Sequence, residues 1–159
     1  MASPSEHDYT CHIVWTGDRG TGTTTYRGYD RTWDIATPGK PTIHCSNDPL
    51  LGGDPTRPNP EDLLLSALAS CHMLWYLHLA SKAGIVVRGY SDRPIGVGET
   101  SASGVGRFLR ATLRPRIEVA SGTDTAVADA IHHRIHEFCF IARSVNFPVS
   151  CEAEYVERR

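Results

Sequence analysis

Residues whose chemistry could matter cluster in two places along this chain. Cys71 and His72 lie in the middle of "NPEDLLLSALASCHMLWYLHLASKAG", a run otherwise dominated by leucine and alanine. Farther on, His132, His133, His136 and Cys139 follow one another within "AIHHRIHEFCF". On a helix, His132, His136 and Cys139 would fall at i, i+4 and i+7, a spacing that offers two imidazoles and a thiolate on one side. His72 or Cys71 could complete such a set as a zinc or iron site. The sequence has no HExxH and no CxxC pair, so a histidine-rich helix margin remains the plainer reading of these residues. Serine-hydrolase chemistry has less support, because there is no GxSxG turn and Ser70 falls mid-helix. Thiol chemistry is the third option. A thiol that reduces peroxides needs a second thiol to capture its sulfenic acid, a cation to hold the thiolate ionised, and a carboxylate to orient that cation.

The rest of the sequence sets limits on these options. A length of 159 residues suits one domain over 1–159, with residues 1–8 as a flexible N-terminus. A formal charge of −2 argues against a dedicated nucleic-acid binder. The first residues, "MASPSEHDYT", lack the basic and apolar regions of a signal peptide, which points to the cytoplasm. Five cysteines, Cys11, Cys45, Cys71, Cys139 and Cys151, form no secreted disulfide framework, so any disulfide here is expected to be redox-active. Cys11, Cys45 and Cys151 read as packing residues.

The elements that must position these groups can be read from punctuation and period. Residues 9–16 and 23–46 read as strands with "GDRGTG" between them, and "NDPLLGGDPTRPNP" is a long loop. A helix follows, with Asn59 as cap, Pro60 at its first position and Gly84 as its stop. It is apolar on every side, so it must be buried on more than one. Leu63 to Ala80 is 18 residues without a formal charge, but a core or dimer-interface helix suits the half-polar strands around it better than a membrane span. Residues 109–119 alternate as one half-buried strand. The second helix begins after Asp124, with Val127, Ile131, Ile135, Phe138 and Ala142 as its buried stripe, and "NFPVSCEAEYV" is a final strand. Segregated runs of strands and helices make this an α+β fold.

"NPEDLLLSALASCH" resembles the signature of the osmotically inducible protein C / organic hydroperoxide resistance superfamily. "YTCHIVWTGDR" is similar to that family's first strand and turn, and a second cysteine on the later helix followed by a strand matches too. The resemblance spans roughly residues 9 to 156. It implies an intertwined homodimer in which antiparallel sheets wrap around two central helices. It also implies a cysteine-based peroxidase acting on organic (alkyl or fatty-acid) hydroperoxides, without metal or organic cofactor, and recycled by a dithiol such as a lipoyl protein. Residue by residue, it implies Cys71 as the peroxidatic cysteine, Cys139 as the resolving cysteine, and Arg19 and Glu61 as the activating and orienting pair. The chain departs from the family pattern where Phe140 follows Cys139 and His72 follows Cys71. Arg27 and Arg31 compete with Arg19 for the activating role. Glu61 and Cys71 are ten residues apart, about 15 Å along one helix, so Glu61 can serve that thiol only from a second subunit or through a bend in the preceding loop. Two alternatives stay open: a non-enzymatic stress or binding protein with an apolar ligand at the dimer interface, and a His/Cys metal-binding protein.

Overall fold

A computed structural model describes residues 5–158. The expected flexible N-terminus falls partly outside that range, at residues 1–4; residues 5–11 carry no regular structure. The chain divides into two compact units at Leu63/Leu64.

The N-terminal unit is built on an antiparallel sheet of β1 (His12–Trp15), β2 (Thr32–Ala36) and β3 (Ile43–Ser46), in that order. Trp33 of β2 sits opposite both Trp15 and Cys45. The long β1–β2 connection is a run of turns, where a longer strand was expected. Asp18 organises its start by accepting hydrogen bonds from the backbone amides of Gly20 (2.7 Å) and Gly22 (2.8 Å). Both glycines have positive φ, 99° and 59°, which other residues adopt only with strain. Gly17 is required for a different reason: a Cβ there would meet the Asp30 carbonyl oxygen at 1.8 Å.

Helix α1 (Pro60–Lys82) begins with a reciprocal cap. The Asp62 amide donates to Asn59 Oδ1 at 2.8 Å, and the Asn59 amide donates to Asp62 Oδ2 at 3.1 Å, so two otherwise unpaired donors are satisfied. Its far end closes as the glycine predicts. Gly84 has φ 74°, the Ile85 amide donates to Ala80 O and the Gly84 amide to Ser81 O, which is a Schellman ending.

In the C-terminal unit α1 contributes one buried face, Leu68, Ala69, His72, Tyr76 and Ala80. Among the described residues α1 alone is long and apolar enough to cross a membrane, a property shared by core helices of globular proteins. Here Tyr76 and Ala80 pack with Ile117, Val119, Ile131 and Ile135, and Leu68 and Ala69 pack with Ala111 and Leu113. Leu74, on the other side of the helix, is 62% exposed.

Two three-stranded sheets complete the unit. One is ordered β4 (Val87–Asp92), β7 (Pro115–Ala120), β9 (Glu154–Arg158); the other β5 (Ile95–Thr100), β6 (Gly106–Leu113), β8 (Val149–Cys151). The β4–β7 and β5–β6 pairs are antiparallel, whereas β6–β8 and β7–β9 are parallel. The single strand expected over 109–119 is in fact β6 and β7, in different sheets. Its alternation survives, with Ala111, Leu113, Pro115, Ile117 and Val119 all buried. The break falls at Arg114, whose amide donates to the Asp92 carboxylate at 2.8 Å instead of to a strand, next to a proline with no amide hydrogen. The expected final strand is likewise divided into β8 and β9.

Helix α2 (Thr125–Ile135) is capped by Asp124, whose carboxylate accepts from the Ala126 and Val127 amides. It is shorter than its apolar stripe suggested. Phe138 and Cys139 lie beyond it in a connecting segment, Ala142 opens a short 3-10 helix (Ala142–Ser144), and Val127 is half-exposed; the buried face is Ala128, Ile131, His132 and Ile135. Leu113 joins the two sheets' strands at the switch and is fully buried. Leu113→Ala is therefore expected to destabilise the protein by about 2–5 kcal/mol, read as a lower urea midpoint. An unchanged midpoint would mean that this part of the core collapses around the lost side chain.

Candidate active site

The C-terminal unit brings two cysteines together. Cys71 lies on α1 and packs against the cluster that contains Tyr76, Ile131, Ile135 and Cys139. Cys139 is fully buried and follows α2 in a turn held by the Cys139 amide to Ile135 O, 2.8 Å, and the Arg143 amide to Cys139 O, 3.0 Å. Cys71 and Cys139 thus share one packed cluster, and the proximity of Cys71 is felt at the Cys139 thiol. The Ala142 amide also donates to Cys139 Sγ at 3.4 Å. Burial, followed by the interaction with Cys71, pushes the Cys139 thiol up to about 11 despite the backbone amides of Ala142 and Ile141 pulling the other way. At neutral pH Cys139 is thus held as a thiol.

The remaining cysteines are elsewhere. Cys11 is exposed outside any strand, and Cys45 is buried in β3 with its thiol donating to Ile43 O at 3.6 Å. Burial raises the Cys45 thiol, and the nearby Asp34 carboxylate raises it further. Neither residue is grouped with Cys71.

The predicted helical triplet of His132, His136 and Cys139 does not form. Because α2 ends at Ile135, Cys139 turns into the core toward Cys71, while His136 is exposed at the helix end. His132 instead meets His72 and Cys151. His72 Nε2 lies 2.8 Å from His132 Nδ1, and Cys151 Sγ lies 3.4 Å from the same nitrogen. Burial lowers both imidazoles to about 4, with His132 the second cause for His72 and His133 the second cause for His132. Burial, then Asp92, Asp129 and Glu152, pushes Cys151 up to about 12. Cys151, read as a packing residue in its strand, was missed because its partners are remote in sequence.

Arg19 and Glu61 belong to the N-terminal unit. Arg19 makes a two-point ion pair with Asp30, its Nε donating at 3.0 Å and its Nη2 to the other carboxylate oxygen. That pair lowers the Asp30 carboxyl, chiefly through the hydrogen bond from Arg19. Glu61 is exposed in the first turn of α1 and is not the carboxylate that holds Arg19 here. Of the competing arginines, Arg31 is committed to two aromatic rings, 4.4 Å from the Tyr26 centroid and 5.1 Å from that of Tyr29, and it donates to Tyr26 O. Arg27 is exposed.

The profile of the OsmC-like protein family matches residues 52–154, which include α1, Cys71, Cys139 and Cys151. No curated protein matches the sequence. Among solved structures, an OsmC-like protein of unknown function from Vibrio cholerae is similar over 93% of this chain and 99% of its own, with 28% identity and a TM-score of 0.82. An organic hydroperoxide resistance protein from Legionella pneumophila has 18% identity and a TM-score of 0.65 over 94% of this chain and 98% of its own. A putative organic hydroperoxide resistance protein from Vibrio cholerae, with captopril in one of its active sites, has 17% identity and a TM-score of 0.64, covering 96% and 95%. With a match over most of its length and an α+β fold shared throughout, this chain belongs to the OsmC-like protein family, within the osmotically inducible protein C and organic hydroperoxide resistance superfamily.

Proposed function

We propose that the protein is a dithiol peroxidase that reduces organic hydroperoxides to alcohols, with Cys71 and Cys139 as its redox pair. The observation that carries this reading is the packing of Cys71 against the apolar cluster that contains Cys139. The Cys71 thiolate attacks the peroxide, the O–O bond breaks, and the alkoxide leaves and takes up a proton as the alcohol. Sulfur keeps the hydroxyl as a sulfenic acid. The Cys139 sulfur then displaces that hydroxyl, which departs with the Cys139 proton as water, and a Cys71–Cys139 disulfide forms. A small dithiol, such as a lipoyl group, supplies two electrons and two protons to restore both thiols.

A nearby cation keeps an attacking sulfur in its thiolate form. In this proposal Arg19 supplies it and Glu61 orients Arg19, both delivered by a second copy of the chain in a homodimer. The exposed Leu74 side of an otherwise apolar α1 supports such a second copy. An apolar approach favours alkyl and fatty-acid hydroperoxides over hydrogen peroxide, and the reaction would run in the cytoplasm, where dithiol reductants are available.

The test is peroxide consumption by the reduced protein, with cumene hydroperoxide and hydrogen peroxide side by side and dihydrolipoamide against a monothiol. The expected result is turnover of cumene hydroperoxide with the dithiol, faster by about tenfold or more than with hydrogen peroxide, the discrimination that a modest apolar contact provides. No dithiol-dependent consumption of either peroxide would favour a non-enzymatic binding role.

A further inference from the structure

The polar cluster on the other side of His72 is not used by the thiol pair. His72, His132 and Cys151 can each offer one ligand atom within 4.8 Å of the other two, and the two histidines are only 7% and 9% exposed. They come from α1, α2 and β8, so the fold, not a local motif, brings them together. Hydrogen bonding alone serves this cluster poorly. His132 Nδ1 has either one lone pair or one proton, yet it faces both His72 Nε2 and Cys151 Sγ. His132 Nε2 is buried without a partner among the described residues. A nitrogen with two claimants beside one with none is a costly arrangement for a core.

We propose that His72, His132 and Cys151 form a metal site for zinc. Two neutral imidazoles and one thiolate are a borderline donor set of the kind zinc takes. Zinc–nitrogen bonds of about 2.0–2.1 Å and a zinc–sulfur bond of about 2.3 Å place tetrahedral nitrogens about 3.3 Å apart and nitrogen and sulfur about 3.5 Å apart. The His132–Cys151 distance of 3.4 Å already fits; the 2.8 Å His72–His132 distance must open by about 0.5 Å, and both rings must turn so that nitrogens now aimed at each other converge on the ion. The cation takes one lone pair from each of the three atoms, and so removes the competition at His132 Nδ1. Cys151 releases its proton to solvent on binding.

The surroundings hold the ligands in place. The Tyr76 ring stacks on His132 with centroids 4.5 Å apart and 16° between planes. The three ligands also line a cavity of about 870 Å³, shared with Asp129, His133 and His136. Three protein ligands facing a cavity leave a fourth coordination position for water or an incoming group, the pattern of an exchangeable or catalytic zinc and not of a closed structural one. This inference stands apart from the peroxidase reading, since neither Cys71 nor Cys139 is a ligand.

The test uses the reduced full-length chain. Zinc is titrated against a chromophoric chelator, and cobalt(II) is added separately to report geometry and sulfur ligation. One zinc per chain is expected, with cobalt showing the visible bands of tetrahedral coordination and a thiolate charge-transfer band in the near ultraviolet. Cys151→Ser should abolish that band and weaken zinc by about tenfold or more, the loss that removal of even an outer-shell partner causes. Cys71→Ser should keep both. In the unmutated chain, zinc should protect Cys151 from alkylation while leaving Cys71 alkylation unchanged, a readout that needs no folded variant. Substoichiometric zinc, a cobalt spectrum without a thiolate band, or a band lost in Cys71→Ser and kept in Cys151→Ser would overturn the proposal.

Discussion

A Cys71→Ser variant is expected to lose dithiol-dependent peroxide consumption by about 10³-fold or more, because a hydroxyl in the same place is a far weaker nucleophile and nothing else in the site replaces it. Cys139→Ser should behave differently. It retains the attacking thiol, so it should consume about one equivalent of peroxide and then stall as a Cys71 sulfenic acid. A sulfenic-acid trap followed by mass spectrometry reads this directly. The contrast rests on the setting of Cys139, which is fully buried and pushed up to about 11, as suits the resolving role proposed for it. If Cys139→Ser lost the first equivalent as well, Cys139 would be the attacking residue, and the assignment would have to be reversed.

The second large effect is expected at Arg19. Arg19→Ala should slow the first step by about 10²-fold, the usual loss when one preorganised charge-stabilising donor is removed. The protein should remain folded, because the Arg19–Asp30 pair is solvent-exposed, with side chains 55% and 49% accessible, and such pairs contribute little. Stopped-flow measurement of peroxide reduction under single-turnover conditions isolates this step from recycling. Glu61→Gln should act in the same direction but less strongly, since it orients the arginine and does not touch sulfur. Arg27→Ala should react like the unmodified protein. Normal kinetics in Arg19→Ala with a slow Arg27→Ala would transfer the activating role to Arg27.

Local signals in the sequence were legible where the physics is local. Asn59, Pro60 and Gly84 bracket α1 as their capping and left-handed preferences require, and Asp124 starts α2. The odd-position burial from Ala111 to Val119 also holds. What alternation could not reveal was the change of sheet at Arg114, because a period of two records which face is buried and not which strand lies alongside. The early end of α2 was hidden for a related reason. Neither glycine nor proline follows Ile135, and the buried positions continue through turns as far as Cys139. The thiol pair itself was legible only through family resemblance, since 68 residues separate Cys71 from Cys139. Cys151 had no such guide. Its approach to His132 and His72 comes from parallel pairing of β8 with β6, a long-range contact to which the alternating pattern of residues 146–156 gives no clue.

Arg19 illustrates a different limit. Its type and position can suggest a cation for a thiolate, but the carboxylate that holds it in this chain, Asp30, is eleven residues away across a turn whose path depends on Asp18, Gly20 and Gly22. Sequence resemblance assigned the orienting role to Glu61. The proposed activation therefore requires Arg19 to exchange Asp30 for the thiolate and Glu61, which makes the homodimer part of the mechanism and gives the chain's association a kinetic consequence. Sedimentation at micromolar concentration should accordingly find dimers.

The central claim is that Cys71 and Cys139 are the two halves of one redox centre, and the linkage formed by peroxide tests it most directly. The fully reduced protein is treated with one equivalent of cumene hydroperoxide, alkylated to block the remaining thiols, digested without reductant and analysed by mass spectrometry. The account predicts a Cys71–Cys139 disulfide as the dominant product, with Cys11, Cys45 and Cys151 recovered as alkylated thiols. A dominant disulfide that includes Cys11, Cys45 or Cys151, or five alkylated cysteines after the peroxide has been consumed, would contradict it.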